Sequence, residues 1–410
     1  MTRFNGNTQF DAVDFLFGCP ESLGRLRPLP PFADESVRFL DTLAKALRAD
    51  PLCASFPDVA SFAFWCRKGN IARLKAEFDA RHLRLGRGRI FHIAPSNVPI
   101  NFAFSFGFGL LAGCANTVRV PSRDFPQIAE LSRVIAQMPT DDFPTIAAQN
   151  ALIRYPRNDE LTCVFSASAD ARIIWGGDAT IARIRSFPIK PRGIDISFAD
   201  RVSLALFAEE AVAALSEEQR LRLAQGFYND TYLMDQNACS SPHLVVWLRR
   251  NPSLSTEGRE RFWKSLADEA LRRYSLSPIR SINKYTLFCD NAIRFGGKMR
   301  FEPLRRYAGN TLMVSTLKEL PDTLSALRGT CGLFYEFGTT SLEPLAKVLS
   351  EKFQTMTLFG MDRKEIASWI VENGITGIDR IVPVGSALDI GTVWDGYDLI
   401  ETLTRIIQYR

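Results

Sequence analysis

The chain has 410 residues, of which 46% are hydrophobic, 23% charged and 11% aromatic, and its formal net charge is +5. These values are typical of a globular protein with one large or two ordinary domains, and they exclude a disordered, collagenous or coiled-coil chain. The mild positive excess is spread along the chain without a long basic run, so the charge gives little support to nucleic-acid binding.

The first 88 residues are predicted to be mostly helical. Apolar residues at helical spacing predict a helix over 39–47, and 71–85 is predicted as a second amphipathic helix that stops at the glycines after it. The pattern then changes to short buried strands separated by helices. Strands are predicted at 89–94, 116–120, 161–166 and 171–177, with helices ending near 113 and 137.

In the second half, the tract 203–226 is predicted to be a long helix that leads into a polar turn at 235–242. Further strands are predicted at 243–248, 285–288, 311–314, 332–337 and 355–359, alternating with helices. Strands that alternate with helices predict parallel sheets, and therefore an α/β fold of the dinucleotide-binding type.

Cysteine and histidine usage narrows the class of protein. Eight scattered cysteines without a CxxC pair, with only three histidines, disfavour a zinc site, and we expect no bound metal. No segment reaches the roughly 18–20 consecutive apolar residues of a membrane span, and the first residues lack a signal core. We therefore expect reduced thiols in a cytoplasmic protein.

Cys239 is the first candidate for a catalytic residue. It lies in a polar turn beside Asn237 and Ser240, immediately before an apolar strand, whereas a structural cysteine more often lies within an apolar run, as Cys163 does. A nucleophilic thiol needs partial exposure and nearby donors that favour the thiolate. The residue pattern alone leaves a nucleophile and a merely buried cysteine equally open.

Asn97, inside the PSNVP segment at 95–99, is the second candidate. Its amide could donate to an oxyanion that develops in a transition state, although an asparagine that only satisfies a turn is the commoner case. The glycines of 107–113 are spaced like a phosphate loop, but they lie inside an apolar helical run and favour close helix packing. His92 is expected to be a core residue, and His243 a capping or solvated one.

Three separated segments resemble the LuxC-like acyl-CoA reductases, a fatty-acid reductase family of the aldehyde dehydrogenase superfamily. They are HIAPSNVPINFAFSFGFGLLAGCANTVRVPSRDFPQ at 92–127, DQNACSSPH at 235–243 and GIDRIVPVGSALDIGTVWDGYDLI at 377–400. The resemblance implies an aldehyde dehydrogenase-like α/β fold. An N-terminal helical region and a Rossmann-type cofactor domain would occupy 1–205, and a catalytic domain 206–375. The segment 376–410 would pack back toward the cofactor domain.

The resemblance further implies NADPH-dependent reduction of a fatty acyl thioester, from acyl-CoA or an acylated protein, to a fatty aldehyde. Cys239 would carry a thioester intermediate, and Asn97 would stabilise the oxyanion. Three alternatives stay open: an acyl phosphate or acyl adenylate reductase, an NAD(P)-dependent aldehyde dehydrogenase, and a non-enzymatic partner of an acyl-transfer enzyme that retains the fold. A homo-oligomer and acyl-transferase or synthetase partners are implied in the same way, with no nucleic acid.

The resemblance also assigns the cofactor-binding residues. They are Pro95, Ser96, Arg119, Ser122, Arg123, Trp175, Gly176 and Gly177. Arg123 replaces a glutamate of the superfamily that would repel a 2′-phosphate, so Arg123 and Arg119 favour NADPH over NADH, with two solvated arginines as the alternative. The glutamate that activates water in aldehyde oxidation has no counterpart beyond a distant candidate, Asp195, and this loss favours reduction.

Overall fold

The computed structural model describes residues 10–78, 81–95, 98–251, 253, 255–298 and 304–409. The chain divides into two compact units, Met1–Ala199 together with Ile390–Arg410, and Asp200–Asp389. Among the described residues, no helix combines the length and apolarity that a membrane crossing requires, and no group of three or more His, Cys, Asp or Glu could hold a metal ion.

The first unit is built around one parallel sheet. Its elements before residue 200 are β1 Asp14–Phe17, α1 Asp34–Ala49, α2 Pro51–Ser55, α3 Pro57–Trp65, α4 Lys68–Glu77, β2 Arg84–Gly86, β3 Arg89–Ile93, α5 Asn101–Leu111, β4 Ala115–Arg119, α6 Pro126–Ala136, α7 Pro144–Gln149, β5 Ala151–Arg154, α8 Asp159–Ser168, β6 Ala171–Trp175, α9 Asp178–Arg185 and β7 Ile194–Phe198.

The strand order of this sheet is β1-β5-β4-β3-β6-β7, with β1 antiparallel to β5 and the other strands parallel. The first parallel strand, β3, is central and buried along its whole length, as expected for a strand covered on both faces. The chain builds outward from β3 on one side and then crosses to the other side at β6. This is the doubly wound arrangement, in which ligands bind where the strand order reverses, beyond the carboxyl ends of the strands.

The second unit contains a larger sheet. Its elements are β8 Val202–Ala208, α10 Glu209–Ala213, α11 Glu217–Thr231, β9 Pro242–Leu248, α12 Glu257–Arg273, α13 Pro278–Phe295, β10 Arg305–Tyr307, β11 Leu312–Thr316, β12 Leu333–Thr339, α14 Glu343–Ala346, β13 Phe353–Phe359, α15 Arg363–Glu372 and β14 Arg380–Pro383. The strand order is β10-β11-β12-β9-β8-β13-β14, and only β10 is antiparallel. Alternate residues of β8 enter two apolar clusters.

Both neighbours of β8 carry a β-bulge near its amino end. Pairing with β13 moves from Val202–Phe353 to Leu204–Met356, and pairing with β9 moves from Ser203–Pro242 to Leu204–Leu244. The second unit spans 200–389 and so contains the whole of β8 and β14. The boundaries predicted at 205/206 and 375/376 would cut β8 and leave β14 outside the unit.

The last residues return to the first unit. They form β15 Val393–Trp394, β16 Tyr397–Asp398, α16 Leu399–Thr402 and β17 Thr404–Ile406. β17 pairs antiparallel with β2, and the Trp65 indole N–H donates to the carbonyl of Ile390 at 3.0 Å. These contacts make the C-terminal segment part of the core of the first unit.

Four of the predicted elements are wrong. The segments 161–166 and 285–288 lie in the helices α8 and α13 rather than in strands, because short apolar runs fit either structure. The tract 203–226 begins with strand β8, and the predicted helix 71–85 ends at Glu77 before strand β2. The strands predicted around 89–94, 116–120, 171–177, 243–248, 311–314, 332–337 and 355–359 are confirmed within a few residues.

Candidate active site

Cys239 lies in the connection between α11 and β9, at the amino end of the parallel strands of the second unit. Its side chain is half-buried. The sulfur accepts a hydrogen bond from Nε2 of Gln354 at 3.1 Å, and the carbonyl accepts one from Oγ of Ser203 at 2.7 Å. Ser203 and Gln354 both come from the bulged region of β8 and β13, so the sheet itself holds the sulfur and the backbone of this residue.

The turn before Cys239 has a strained backbone. Asp235 and Gln236 have φ values of +52° and +64°, a region that non-glycine residues rarely adopt. The buried amide of Gln236 stabilises this conformation: its Nε2 donates to the carbonyls of Pro242 and Leu333, and its Oε1 accepts from the N–H of Gly332. The conformation of the segment is therefore fixed by hydrogen bonds to the two strands β9 and β12.

Two carboxylates lie in this turn and close before it. Asp235 accepts hydrogen bonds from the Tyr274 hydroxyl at 2.6 Å and from the Arg280 guanidinium at 2.9 Å. Asp230, at the end of α11, is buried and accepts from the N–H groups of Gly385 and Ala387 at 2.7 and 2.8 Å. Burial raises the pKa of Asp230 to about 7.

Neither buried histidine is available as a general base. Nδ1 of His243 accepts from the N–H of Gly329 at 3.0 Å, and burial lowers the pKa of His243 to about 3. His92 lies between Oγ of Ser105 and Oδ1 of Asn116, and burial lowers its pKa to about 4. Both rings are therefore buried and weak proton acceptors near pH 7. The structure confirms His92 as a core residue, whereas His243 is buried rather than solvated.

The described cofactor-binding candidates lie along one edge of the sheet in the first unit. Pro95 follows β3, and the segment 175–177 ends β6 and follows it, so these residues flank the point where the strand order reverses. Arg119 ends β4, and Ser122 and Arg123 are exposed just beyond it. Ser96, the remaining cofactor-binding candidate, and Asn97, the candidate oxyanion donor, lie outside the described residues.

The local geometry at this edge suits a dinucleotide. Gly177 is the residue before α9, and a Cβ placed on it would meet nothing within 4 Å, which leaves open space beside the helix start. Trp175 stacks on Phe198 with the ring centroids 3.8 Å apart. The Arg119 guanidinium lies over the Tyr155 ring at 4.4 Å, and that of Arg123 lies over the Phe125 ring at 5.0 Å. Arg119 is half-buried and Arg123 is exposed, so Arg123 is the more accessible cation.

Asp195, the distant candidate for a water-activating base, is committed to an ion pair. Its carboxylate accepts from Nε and Nη2 of Arg172 at 2.6 and 2.7 Å, in a bidentate arrangement. The Arg172 side chain is only 1% exposed, so removal of its partner would leave a buried charge. Asp195 therefore has a structural role: it links β7 to Arg172 of β6.

Sequence reasoning missed Ser203 and Gln354. Ser203 was placed in a predicted helix, where its contact with the carbonyl of Cys239 could not be foreseen. Gln354 follows Cys239 by 115 positions. The only signal in the sequence is a glutamine inside the largely apolar run FQTMTLF, which forms β13.

Comparison with known proteins adds a family and a fold. A family model described as acyl-CoA reductase (LuxC) matches residues 70–278. No curated protein sequence matched the chain significantly.

Among solved structures, three aldehyde dehydrogenases illustrate the shared fold. A NAD-dependent benzaldehyde dehydrogenase from Corynebacterium glutamicum is 13% identical, with a TM-score of 0.56 over 92% of this chain and 84% of its own. Aldehyde dehydrogenase 21 from Physcomitrella patens is 13% identical, with a TM-score of 0.59 over 91% and 84%. A 1-pyrroline-5-carboxylate dehydrogenase from Thermus is 12% identical, with a TM-score of 0.60 over 92% and 81%. The aldehyde dehydrogenase-like fold predicted from the sequence is therefore confirmed.

Proposed function

The chain belongs to the LuxC acyl-CoA reductase family, and from that membership we propose that it reduces a fatty acyl thioester to the corresponding aldehyde with NADPH as the reductant. The observation that carries the proposal is the environment of Cys239. This half-buried thiol lies at the amino end of a parallel sheet, and its sulfur accepts an amide N–H. Such a donor favours the thiolate, which is the nucleophilic form of cysteine.

Cys239 forms and breaks the covalent bonds to the acyl group. Its thiolate attacks the acyl carbonyl carbon, a new carbon–sulfur bond forms, and the bond to the donor sulfur breaks, so that the released thiolate takes up a proton. Bound NADPH supplies the hydride that reduces this acyl carbon. The bond between Cys239 and the carbon then breaks, the aldehyde leaves, and the thiolate is restored. One thioester, one NADPH and one proton give one aldehyde, one thiol and one NADP⁺.

The residues that would bind the nucleotide lie at the carboxyl edge of the first sheet. Gly177 leaves room beside the start of α9, and Pro95 and Trp175 flank the same point of strand reversal. Arg123 is the cation proposed for the 2′-phosphate, and Asn97 is proposed as the oxyanion donor. The negative charge of Asp178, in the first turn of α9, opposes a phosphate at that helix end.

The ion pair of Asp195 favours reduction over aldehyde oxidation. An oxidising enzyme needs a base that activates water against the thioester. The candidate carboxylate is bound by Arg172 through two hydrogen bonds and is not positioned as a general base. A thioester on Cys239 is therefore expected to persist until it is reduced.

The test is covalent capture of an acyl group. Wild type, Cys239→Ala and Cys163→Ala are mixed with a long-chain acyl-CoA, and the intact mass is measured before and after addition of NADPH. Cys163 is a half-buried cysteine of α8 and serves as the matched control. We expect an acyl adduct on wild type and Cys163→Ala only, discharged as aldehyde by NADPH but not by NADH. Release of free fatty acid, or an adduct on Cys239→Ala, would contradict the proposal.

A further inference from the structure

The start of β13 departs from regular strand geometry next to Cys239. Phe353 and Met356 enter the same apolar cluster although they are three residues apart, because Gln354 and Thr355 form the bulge opposite β8. Bulges re-aim side chains and occur frequently beside active sites. Here the bulge takes Gln354, which is 1% exposed, out of the regular alternation, and its amide reaches the sulfur of Cys239.

A chain of hydrogen bonds connects the sulfur of Cys239 with the backbone carbonyl of the same residue. Gln354 donates to the sulfur through Nε2, and its Oε1 accepts from Oγ1 of Thr355 at 3.2 Å. The N–H of Thr355 donates to Oγ of Ser203 at 3.0 Å, and that hydroxyl donates to the carbonyl of Cys239 at 2.7 Å. With its oxygen held by Thr355, the amide of Gln354 presents its N–H₂ group to the sulfur.

We propose that Gln354 is a catalytic residue that stabilises the Cys239 thiolate by donating a hydrogen bond to it. The inference rests on the proposed function, in which Cys239 is the nucleophile. A hydrogen bond to an ionised acceptor is about twice as strong as one to a neutral acceptor, so this donor favours the thiolate over the thiol.

The same hydrogen bond acts at two points of the reaction. The sulfur is anionic before it attacks the thioester, and it becomes anionic again when the aldehyde leaves. In the acylated state the sulfur carries no charge and is a weak acceptor, so the amide stabilises this state least. The hydrogen bond therefore increases the thiolate population before the attack and stabilises the thiolate as the leaving group when the aldehyde departs.

The test measures the pKa of the Cys239 thiol. Iodoacetamide alkylation of the peptide that contains Cys239 is followed by mass spectrometry between pH 5 and pH 10, for wild type, Gln354→Met, Thr355→Val and Thr357→Val. Thr357→Val is the matched control: it lies on the same strand, and its buried hydroxyl has no hydrogen-bond partner in the described part of the chain.

We expect Gln354→Met to raise the pH midpoint of alkylation by about one unit. Well below the midpoint, alkylation should slow about three- to fourfold, because the tenfold lower thiolate fraction is partly offset by a more nucleophilic thiolate. The rate at pH 10 should not fall, because the free thiolate becomes more nucleophilic as its pKa rises. Thr355→Val should give a smaller shift in the same direction, and Thr357→Val none. A merely structural loss of packing would not move the midpoint while sparing the rate at high pH.

The outcomes separate this inference from the proposed function. Unchanged midpoints in Gln354→Met and Thr355→Val, in proteins that still form the acyl adduct, overturn the role of Gln354 and leave the reductase proposal intact. A raised midpoint in a protein whose wild type forms no acyl adduct supports the hydrogen bond to the thiolate and overturns the reductase proposal. If Gln354→Met does not fold, the shift in Thr355→Val decides.

Discussion

The carboxylates of Asp195 and Asp230 have different kinds of hydrogen-bond donors. Asp195 faces a guanidinium that satisfies both of its oxygens. Asp230 is buried and receives only backbone N–H groups from the loop after β14, so desolvation dominates and its pKa rises to about 7. Of the two, Asp230 is the carboxylate that changes charge within the physiological pH range.

The raised pKa of Asp230 predicts a pH-dependent stability. The folded state binds this proton more tightly than the unfolded chain, whose aspartate pKa is about 3.9, so wild type loses stability as pH rises from about 4 to 7. Asp230→Asn lacks this titration but turns an N–H₂ group toward a backbone N–H. We expect it to be less stable than wild type at pH 5, with the difference shrinking by roughly 2 kcal/mol by pH 8.

Urea unfolding of both proteins at pH 5 and pH 8 measures this effect. Asp142→Asn, at an exposed site, is the control and should track wild type at both pH values. A difference between wild type and Asp230→Asn that does not change with pH would contradict the raised pKa.

Arg123 is predicted to set the nucleotide preference. Because its guanidinium is exposed beyond β4, Arg123→Ala should raise the KM for NADPH about tenfold, the effect of losing one charge-assisted hydrogen bond, and change the KM for NADH by less than about twofold. Steady-state kinetics with both nucleotides measure this. Arg192→Ala removes another exposed arginine before β7 and should alter neither KM. Equal losses for both nucleotides would contradict a 2′-phosphate contact.

At the scale of residues, the sequence singles out Cys239 as a candidate but does not reveal the group that contacts it. Cys239 is recognisable because its neighbours are polar and a strand follows, which are local properties. Gln354 is defined by a bulge and by the pairing of β13 with β8, and neither can be read from the residues around it. Partners that lie far apart in sequence are brought together only by the sheet.

At the scale of elements, the glycine-rich helix α5 is explained by packing. A Cβ on Gly109 would lie 1.8 Å from Oδ1 of Asn116, and one on Gly107 would lie 2.7 Å from the Trp65 ring. The helix therefore approaches β4 at Gly109 and α3 at Gly107 more closely than a side chain at these positions would allow. The spacing of glycines that resembles a phosphate loop serves close contact within the first unit.

Gly109→Ala is predicted to destabilise the protein by about 3 kcal/mol, because the new methyl group must displace an asparagine that is bonded to His92 and Asn150. Chemical denaturation measures the change. In Gly69→Ala, on α4, a Cβ meets nothing within 4 Å, so this variant should be neutral or more stable by up to about 1 kcal/mol. Similar losses in the two variants would argue against the packing explanation.

The sequence predicted most central strands but confused some strands with helices, for a physical reason. β8 reads VSLALFA, which is rich in residues that favour helices, yet it occupies the middle of a parallel sheet. Burial on both faces removes the alternation that identifies an exposed strand. Conversely, α8 contains a short apolar run that resembles a strand. The Asn158 cap before it is the sequence signal that indicates a helix.

At the scale of the whole molecule, each unit has its own sheet and its own apolar core. The chain leaves the first unit after residue 199 and returns to it at residue 390. The first unit is therefore complete only when its last strand, β17, has paired with β2. The bounds of the two units follow whole strands and so differ from the predicted bounds.

Leu403→Ala is predicted to weaken the first unit selectively. Leu403 is fully buried after α16, and its removal should cost about 3 kcal/mol. Hydrogen exchange followed peptide by peptide should show faster exchange in β2, α5 and β17, with smaller changes over 200–389. Leu358→Ala, which empties a buried site in β13, should show the reverse distribution. Equal loss of protection in both units for either variant would contradict separate cores.

The hydrogen bond between Gln354 and Cys239 also bears on how the protein is made. When a ribosome has released β9, the nascent chain already contains Cys239, but the amide that donates to its sulfur lies 115 residues further on. Until β13 emerges and pairs with β8, the hydrogen bond from Gln354 to this sulfur cannot form. If Gln354 has the role inferred above, the thiol therefore gains its full reactivity only once the sheet of the second unit has formed around it.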